Sequence, residues 1–503
     1  MGTPQKQSYR VGVWQQAMGS YSSIPPYHPP ALYPELAFCE GVTLDRSNDV
    51  YASVRSLFSL LDYDSGHRGS AKWNPLAWLI KPGDTVFVKP NLIAERHPNS
   101  EEWIDLITHG AVMRALIDYV FLALQGKGRI QVGDAPQTDS NITLLRQKIG
   151  IDAIQEFYRR KLGFEIEFLD LREEYWESKD GIVTQKHKLG GDPLGTVRFD
   201  LGDASYFAEV DGLRRRYYGA FYDVEETNRH HGNGVHEYLM ARSPLAADVF
   251  ISVPKMKTHK KVGVTLNLKG LVGITGDKNY LPHYALGSPE ENGDQFPVRK
   301  AATVLENAMV GKAKRFLARG IPLAVYVSRK TKPLLYRVFG GTDETVRAGN
   351  WWGNDTCWRM TLDLNQLLLY GDPGGSFRSA SKRYFSVVDG IIGMEGNGPV
   401  AGTSRPAGLL LGGENAAAVD VVTATIMGFD YRKLPLLHRS FDAGRFFIAQ
   451  GDPADTQVSS NSASFNRRLD EISSEDTLAF KPHFGWTGRV ELDPKMQPAV
   501  VAT

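Results

Sequence analysis

The sequence predicts an α/β protein with parallel-sheet layers in two domains and a β-rich insertion. Three observations lead there. Short apolar runs of strand character alternate with segments of helical period, as βαβ units require. The chain has 503 residues, enough for more than one core. Between about residues 175 and 235 the alternation gives way to closely spaced turns, as in "KLGGDPLGTVRFDLGDASYF".

Taken in order, residues 1–45 are rich in Pro, Tyr and Ser and read as an extended arm lying on the body. "DVYASVRSLFSLL", from Asp49, has helical spacing. "KPGDTVFVKPNLI" reads as turn, buried strand and polar strand end, "HGAVMRALIDYVFLAL" as a helix, and "GRIQVGDAPQTDS" as a second strand. Strand, helix, strand in this order is a parallel unit of Rossmann-like layering. "GFEIEFLDL" and "LAADVFISV" add strands. "VRKAATVLENAMVGKAKRFLA" and "CWRMTLDLNQLLLYG" read as helices, the second stopping at Gly371. "RYFSVVDGIIGMEG" is a strand, and "AGLLLGGENAAAVDVVTATIMGF" a strand followed by a helix. The expected organisation is an arm (1–45), an N-terminal α/β unit (46–300) carrying the insertion, a C-terminal α/β unit (301–440) and an irregular tail (441–503).

Composition narrows the function. A formal charge of +1 gives no global field toward nucleic acid or an anionic membrane, so any anion site is local. Two cysteines, Cys39 and Cys357, exclude a disulfide framework and a four-cysteine iron–sulfur cluster. The chain opens on no charged-then-apolar leader, and no run reaches about 18 apolar residues. A cytoplasmic protein of a reducing compartment is expected, with a small anionic molecule as its partner.

The polar residues have a pattern. Predicted strands end in polar turns: "VKPN" with Lys89 and Asn91, "GDAPQTD" with Asp134, "VPKMKTH" with Lys255, Lys257 and His259, and "VDGIIGMEGNGP" with Asp389, Glu395 and Asn397. In open parallel sheets, ligands bind outside the carboxyl ends of strands. Four such ends facing one crevice make a site, although a single polar turn is ordinary.

From Val253 to Tyr284 the chain gathers six lysines and two histidines against one acid, Asp277. Asn267 and Lys269 are set in the apolar run "VGVTLNLKGLVGI". A buried lysine needs a carboxylate, a bound anion or a depressed pKa. Lys269 is therefore a structural ion pair, an anion clamp, a general base or a covalent attachment point. His259 and His283 read as acid–base groups, metal ligands or satisfied core histidines. Asp134, Asp389 and Glu395 are the carboxylates available to a metal. "HHGNGVHEY" resembles a short metal-binding tract but lacks the H-E-x-x-H spacing. "WWGNDTCWRM" offers either a helix cap from Asn354 or Asp355, or a tryptophan wall.

The motifs "FVKPNL", "VGDAP", "ISVPKMKTHKKVGVTLNLKGLVG", "PHY" and "VDGIIGMEGNGPVAG", in this order over roughly residues 80–430, resemble the family called domain of unknown function 362. Some members carry a ferredoxin-type cluster segment, whose cysteines are missing here. More distantly, His259, Lys269 ten residues on and His283 downstream resemble the nickel-pincer lactate racemases. That resemblance implies a shared scaffold, an acid–base role for His259, a tethered nickel nucleotide on Lys269 and nickel binding by His283. The racemase loop "DGRTRP" is absent, and "VKPNL" sits in its place.

The function expected is an enzyme acting on a small anionic substrate: a carboxylate, a phosphate or a nucleotide-linked sugar. The reaction class is proton transfer, as in isomerisation, epimerisation or elimination. His259, Lys269 and Asp134 are the catalytic candidates. Lys89, Asn91, Lys255, Lys257, Asn267 and Asn397 would hold the anion. His283, Asp389 and Glu395 are the candidate metal ligands, with a divalent metal or a pincer-type nucleotide left open as cofactor. The alternative is a non-catalytic carrier or scaffold that binds a cofactor or nucleotide.

Overall fold

The computed structural model describes residues 8–17, 19–179, 182–219, 223–299 and 345–493. The helix expected from Val298 onward lies almost wholly outside them. The centre is a ten-stranded, mainly parallel sheet. Its order runs Gln457–Ser460, Arg10–Gln15, Thr403–Gly413, Arg383–Glu395, Val249–Val253, Thr85–Pro90, Arg129–Asp134, Ile166–Asp170. Lys255–His259 continues beside Arg383–Glu395 and pairs with Gly263–Thr265. One sheet thus draws strands from all four segments expected from the sequence. The residues read as an arm contribute Arg10–Gln15, which is hydrogen-bonded on both sides.

The central strands are apolar on both faces, and period two divides them between two cores. Val86, Val88, Val249, Ile251, Phe385 and Val387 pack on one side with the helices Asp49–Leu60 and Gly110–Leu124. Phe87, Phe250 and Tyr384 point to the other, stacked across strands with ring centroids 5.8 Å apart at each step. The helices Cys357–Tyr370 and Ala416–Met427 cover that side. Each helix begins where a polar side chain takes an orphan backbone N–H: Asn48, His109, Asn354 and Asn415. Cys357–Tyr370 ends at Gly371, as expected.

The turn-rich segment forms a hairpin, Glu174–Lys179 with Ile182–Lys188, and a small antiparallel sheet of Thr196–Asp200 and Val235–Ala241. Among the described residues no helix is long and apolar enough to cross a membrane.

Candidate functional site

Two parallel strands end side by side in a Lys–Asp pair. Lys89 Nζ lies 2.9 Å from Asp134 Oδ1, both side chains buried. Asp134 also accepts from the backbone N–H of Leu92 at 2.7 Å and of Ala135 at 2.9 Å. Those bonds tie the turn after one strand to the carboxylate ending its neighbour. Gly273 closes over the pair. A Cβ there would sit 1.8 Å from Asp134 Oδ1 and 2.9 Å from Lys89 Nζ, so only glycine fits.

The next strand, Val249–Val253, leads into Lys255–His259, turns back through Gly263 at φ +82°, and enters the short helix Asn267–Gly270. That helix is pinned from beneath. The Asp420 carboxylate accepts from Asn267 N (3.0 Å), Asn267 Nδ2 (2.7 Å) and Leu268 N (2.9 Å). Asn365 Nδ2 donates to Leu268 O at 3.0 Å, and Tyr384 OH to Asn267 Oδ1 at 3.2 Å. Burial pushes the Asp420 carboxyl up to about 7 despite the three donors. The consequence is a fixed position for Lys269.

Lys269 is 6% exposed. Among the described residues its amine has no hydrogen-bond or ion-pair partner, and burial lowers its pKa, with Lys89 adding to the shift and Cys357 opposing it. It lines a cavity of about 510 Å³ with Lys89, Asn91, Asp134, His259, His283 and three further lysines, Lys260, Lys261 and Lys278. Five lysines against two aspartates, Asp134 and Asp139, make the lining cationic. Lys261 donates to Ala348 O and lies over the Tyr284 ring at 4.7 Å; burial takes it down to about 7. Lys278 donates to the carbonyls of Pro136 and Ala135, and burial lowers it to about 8. An anion entering beside Lys261 and Lys278 would restore the charged form of those two amines.

The histidines hold complementary tautomers. His259 Nδ1 accepts the backbone N–H of Lys261 at 3.1 Å, so the neutral ring carries its proton on Nε2. His283 Nδ1 donates to Leu281 O at 2.8 Å, which leaves a lone pair on Nε2. Burial holds both rings neutral, well below the usual imidazole range, with the surrounding lysines acting in the same direction. One ring is a hydrogen-bond donor and the other an acceptor in the same cavity.

The cavity brings together Lys89, Asn91, Asp134, His259, Lys269 and His283. Six other residues named from the sequence lie outside its lining. Lys255 is buried against Asp389 at 3.1 Å and Tyr21 OH at 2.6 Å. Lys257 donates to the carbonyls of Leu106 and Pro399. Period two would put Lys255, Lys257 and His259 on one face, but the register slips between Lys255 and Lys257 and breaks the alternation. Asn267 supports the Lys269 helix from behind. Asn397 sits in the turn before Pro399, its carbonyl accepting from Ala401 N at 3.3 Å. Asp389 is consumed by Lys255, Tyr21 and the N–H of His109. Glu395 accepts from Lys481 N at 3.1 Å.

The metal set His283, Asp389 and Glu395 is therefore not assembled. Among the described residues no three His, Cys, Asp or Glu side chains converge on a metal position. The "HHGNGVHEY" histidines are engaged separately, His230 by Glu226 and Glu237, His231 by Tyr280 O and His236 by Asp211. Trp351 donates to Asp294 O and forms no wall to this cavity. A divalent ion held by protein ligands does not fit beside His283, whose neighbours are lysines. The nickel nucleotide implied by the racemase resemblance would claim Lys269 for its tether and His283 for its metal.

Sequence reasoning missed Asp420, Gly273 and the roles of Lys261 and Lys278. The two lysines stood in the same basic stretch. Asp420 and Gly273 carry no local signal, because their partners lie far away in the chain.

Residues 203–425 match the model of a family described as "Domain of unknown function (DUF362)". The matched span includes His259, Lys269, His283 and Asp420 but not Lys89 or Asp134. No curated protein matches the chain.

Proposed function

We propose that this chain, whose residues 203–425 carry the DUF362 match, is an enzyme that moves a proton on a small anionic substrate. The observation that carries the reading is the meeting of Lys269, a buried amine with no partner among the described residues, with histidines of opposite tautomer in one lysine-lined cavity. The lysines receive the carboxylate or phosphate. His283 Nε2 takes the proton from the carbon beside the anionic group. The His259 Nε2–H and the Lys269 amine stabilise the oxyanion that develops. His259 thus becomes a donor rather than the acid–base group expected from sequence, since its Nδ1 is committed to a backbone N–H. Substrates fitting this reading are carboxylates, phosphates and nucleotide-linked sugars.

One observation favours a second reading, a binding protein without turnover. Burial, with the nearby lysines, makes both histidines weak bases. The test separates the two. Carboxylates, sugar phosphates and nucleotide sugars are titrated calorimetrically, and each ligand found is followed by NMR for exchange of carbon-bound hydrogen with D₂O. The enzyme reading expects exchange that His283→Gln abolishes while affinity stays within about threefold, a change under 1 kcal/mol. Tight binding with no exchange in the wild type supports the carrier and sinks the enzyme.

A further inference from the structure

The Lys269 amine stands apart from its neighbours. Lys89 has Asp134, Lys261 has Ala348 O and Lys278 has Pro136 O, whereas Lys269 has no partner among the described residues. A buried ammonium without a partner is costly, so the amine is favoured, and a neutral amine is a nucleophile. The next residue, Gly270, has ordinary helical geometry (φ −55°, ψ −29°), and a Cβ built on it meets nothing within 4 Å. Lys269 and Gly270 both line the same cavity of ligand size, with free space over Gly270 among the described residues.

We propose that Lys269 condenses with the carbonyl of a 2-oxo carboxylate to form an imine, the carboxylate being held by the neighbouring lysines. This deepens the anion-site reading and rests on it. The step balances. The amine nitrogen attacks the carbonyl carbon, and the carbonyl oxygen becomes an alkoxide that accepts a hydrogen bond from His259 Nε2–H. His283 Nε2 takes a proton from the new ammonium and passes it to the oxygen, giving the carbinolamine. A second proton from that nitrogen follows the same route, the hydroxyl leaves as water, and the C=N bond forms. Nothing is oxidised or reduced. A solvent proton taken up by the imine nitrogen gives the iminium, which draws electrons from the adjacent C–H, and His283, neutral again, is free to remove the proton from that carbon.

The test uses pyruvate, 2-oxobutyrate and 2-oxoglutarate with full-length protein purified from its own host. Each is added with cyanoborohydride, and intact mass and peptide mapping follow. In parallel, calorimetry without reductant measures binding. The expected result is a mass gain of one oxo acid, less water, plus two hydrogens, mapped to Lys269. It is lost in both Lys269→Arg and Lys269→Met, whose melting curves match the wild type. Methionine nearly preserves the volume, so it covers the case in which arginine does not fit. Binding without an adduct on Lys269 overturns the imine and leaves the anion site standing. Neither binding nor adduct with all three acids overturns the imine, and the anion site falls with it only if sugar phosphates and nucleotide sugars also fail to bind in the calorimeter. An adduct spread over other lysines and unchanged by the variants overturns the imine, as does a Lys269 already carrying another group when isolated.

Discussion

Gly273→Ala tests the geometry of the site most directly. Gly273 does not have a positive φ, so alanine suits its backbone, and the penalty is steric alone. The new Cβ would lie 1.8 Å from Asp134 Oδ1, far inside contact distance. The carboxylate must swing away, breaking the 2.9 Å contact with Lys89 and straining bonds of 2.7 and 2.9 Å to Leu92 and Ala135. Breaking a buried ion pair costs about 3–5 kcal/mol when the remaining charge is left unpaired. Lys89 Nζ keeps its bond to Pro90 O, so the lower end, about 3 kcal/mol, is expected. The assay is the urea midpoint at constant m, with calorimetric binding of whichever anion the screen finds. The double variant sharpens it. In an Asp134→Ala background the obstructing oxygens are gone, so adding Gly273→Ala costs under about 0.5 kcal/mol, a large non-additivity. A single Gly273→Ala variant within about 0.5 kcal/mol of wild type refutes the reasoning, as does strict additivity with Asp134→Ala.

Two further outcomes follow from the same geometry. Gly270→Leu places a side chain into the cavity where nothing opposes it, so anion binding falls at least about tenfold while the urea midpoint holds; a shifted midpoint with intact binding contradicts this. Asp420, raised by burial to about 7, binds its proton more tightly folded than unfolded, where a carboxyl titrates near about 4. Its contribution is greatest below the unfolded value and is lost as pH rises through about 7, so Asp420→Asn flattens the decline in stability between about pH 4 and about pH 7. Asp363, raised to about 7 in the same way, leaves a residual slope in the variant. Parallel wild-type and variant curves count against the assignment.

The strand ends were legible because a buried strand followed at once by Lys or Asp is an economical pattern: "FVKPN" and "VGDAP" each put one polar group at a carboxyl edge. Lys269 was legible as a buried amine from its apolar flanks. Three things were not. The slip between Lys255 and Lys257 arises from pairing with Arg383–Glu395, more than a hundred residues away, and it sends those lysines elsewhere. The histidine tautomers depend on backbone groups of Lys261 and Leu281, whose directions no residue type encodes. Asp389 and Asp134 look alike in sequence and each meets a buried lysine, yet Asp389 is enclosed with Tyr21 while Asp134 borders open space. Which carboxylate faces the crevice is decided by packing across the sheet.

The Arg10–Gln15 strand carries a consequence for biosynthesis. Its neighbours in the sheet are Thr403–Gly413 and Gln457–Ser460, so both of its hydrogen-bonding edges are satisfied only by residues made several hundred positions later. At about 5–20 residues per second, this strand leaves the ribosome roughly 20–80 s before its first partner is made. During that interval "VGVW" is an apolar segment with both edges open to any strand it meets. The nascent chain is therefore exposed to mispairing throughout that interval, and the ribosome-bound intermediate is the form on which a holding chaperone would act.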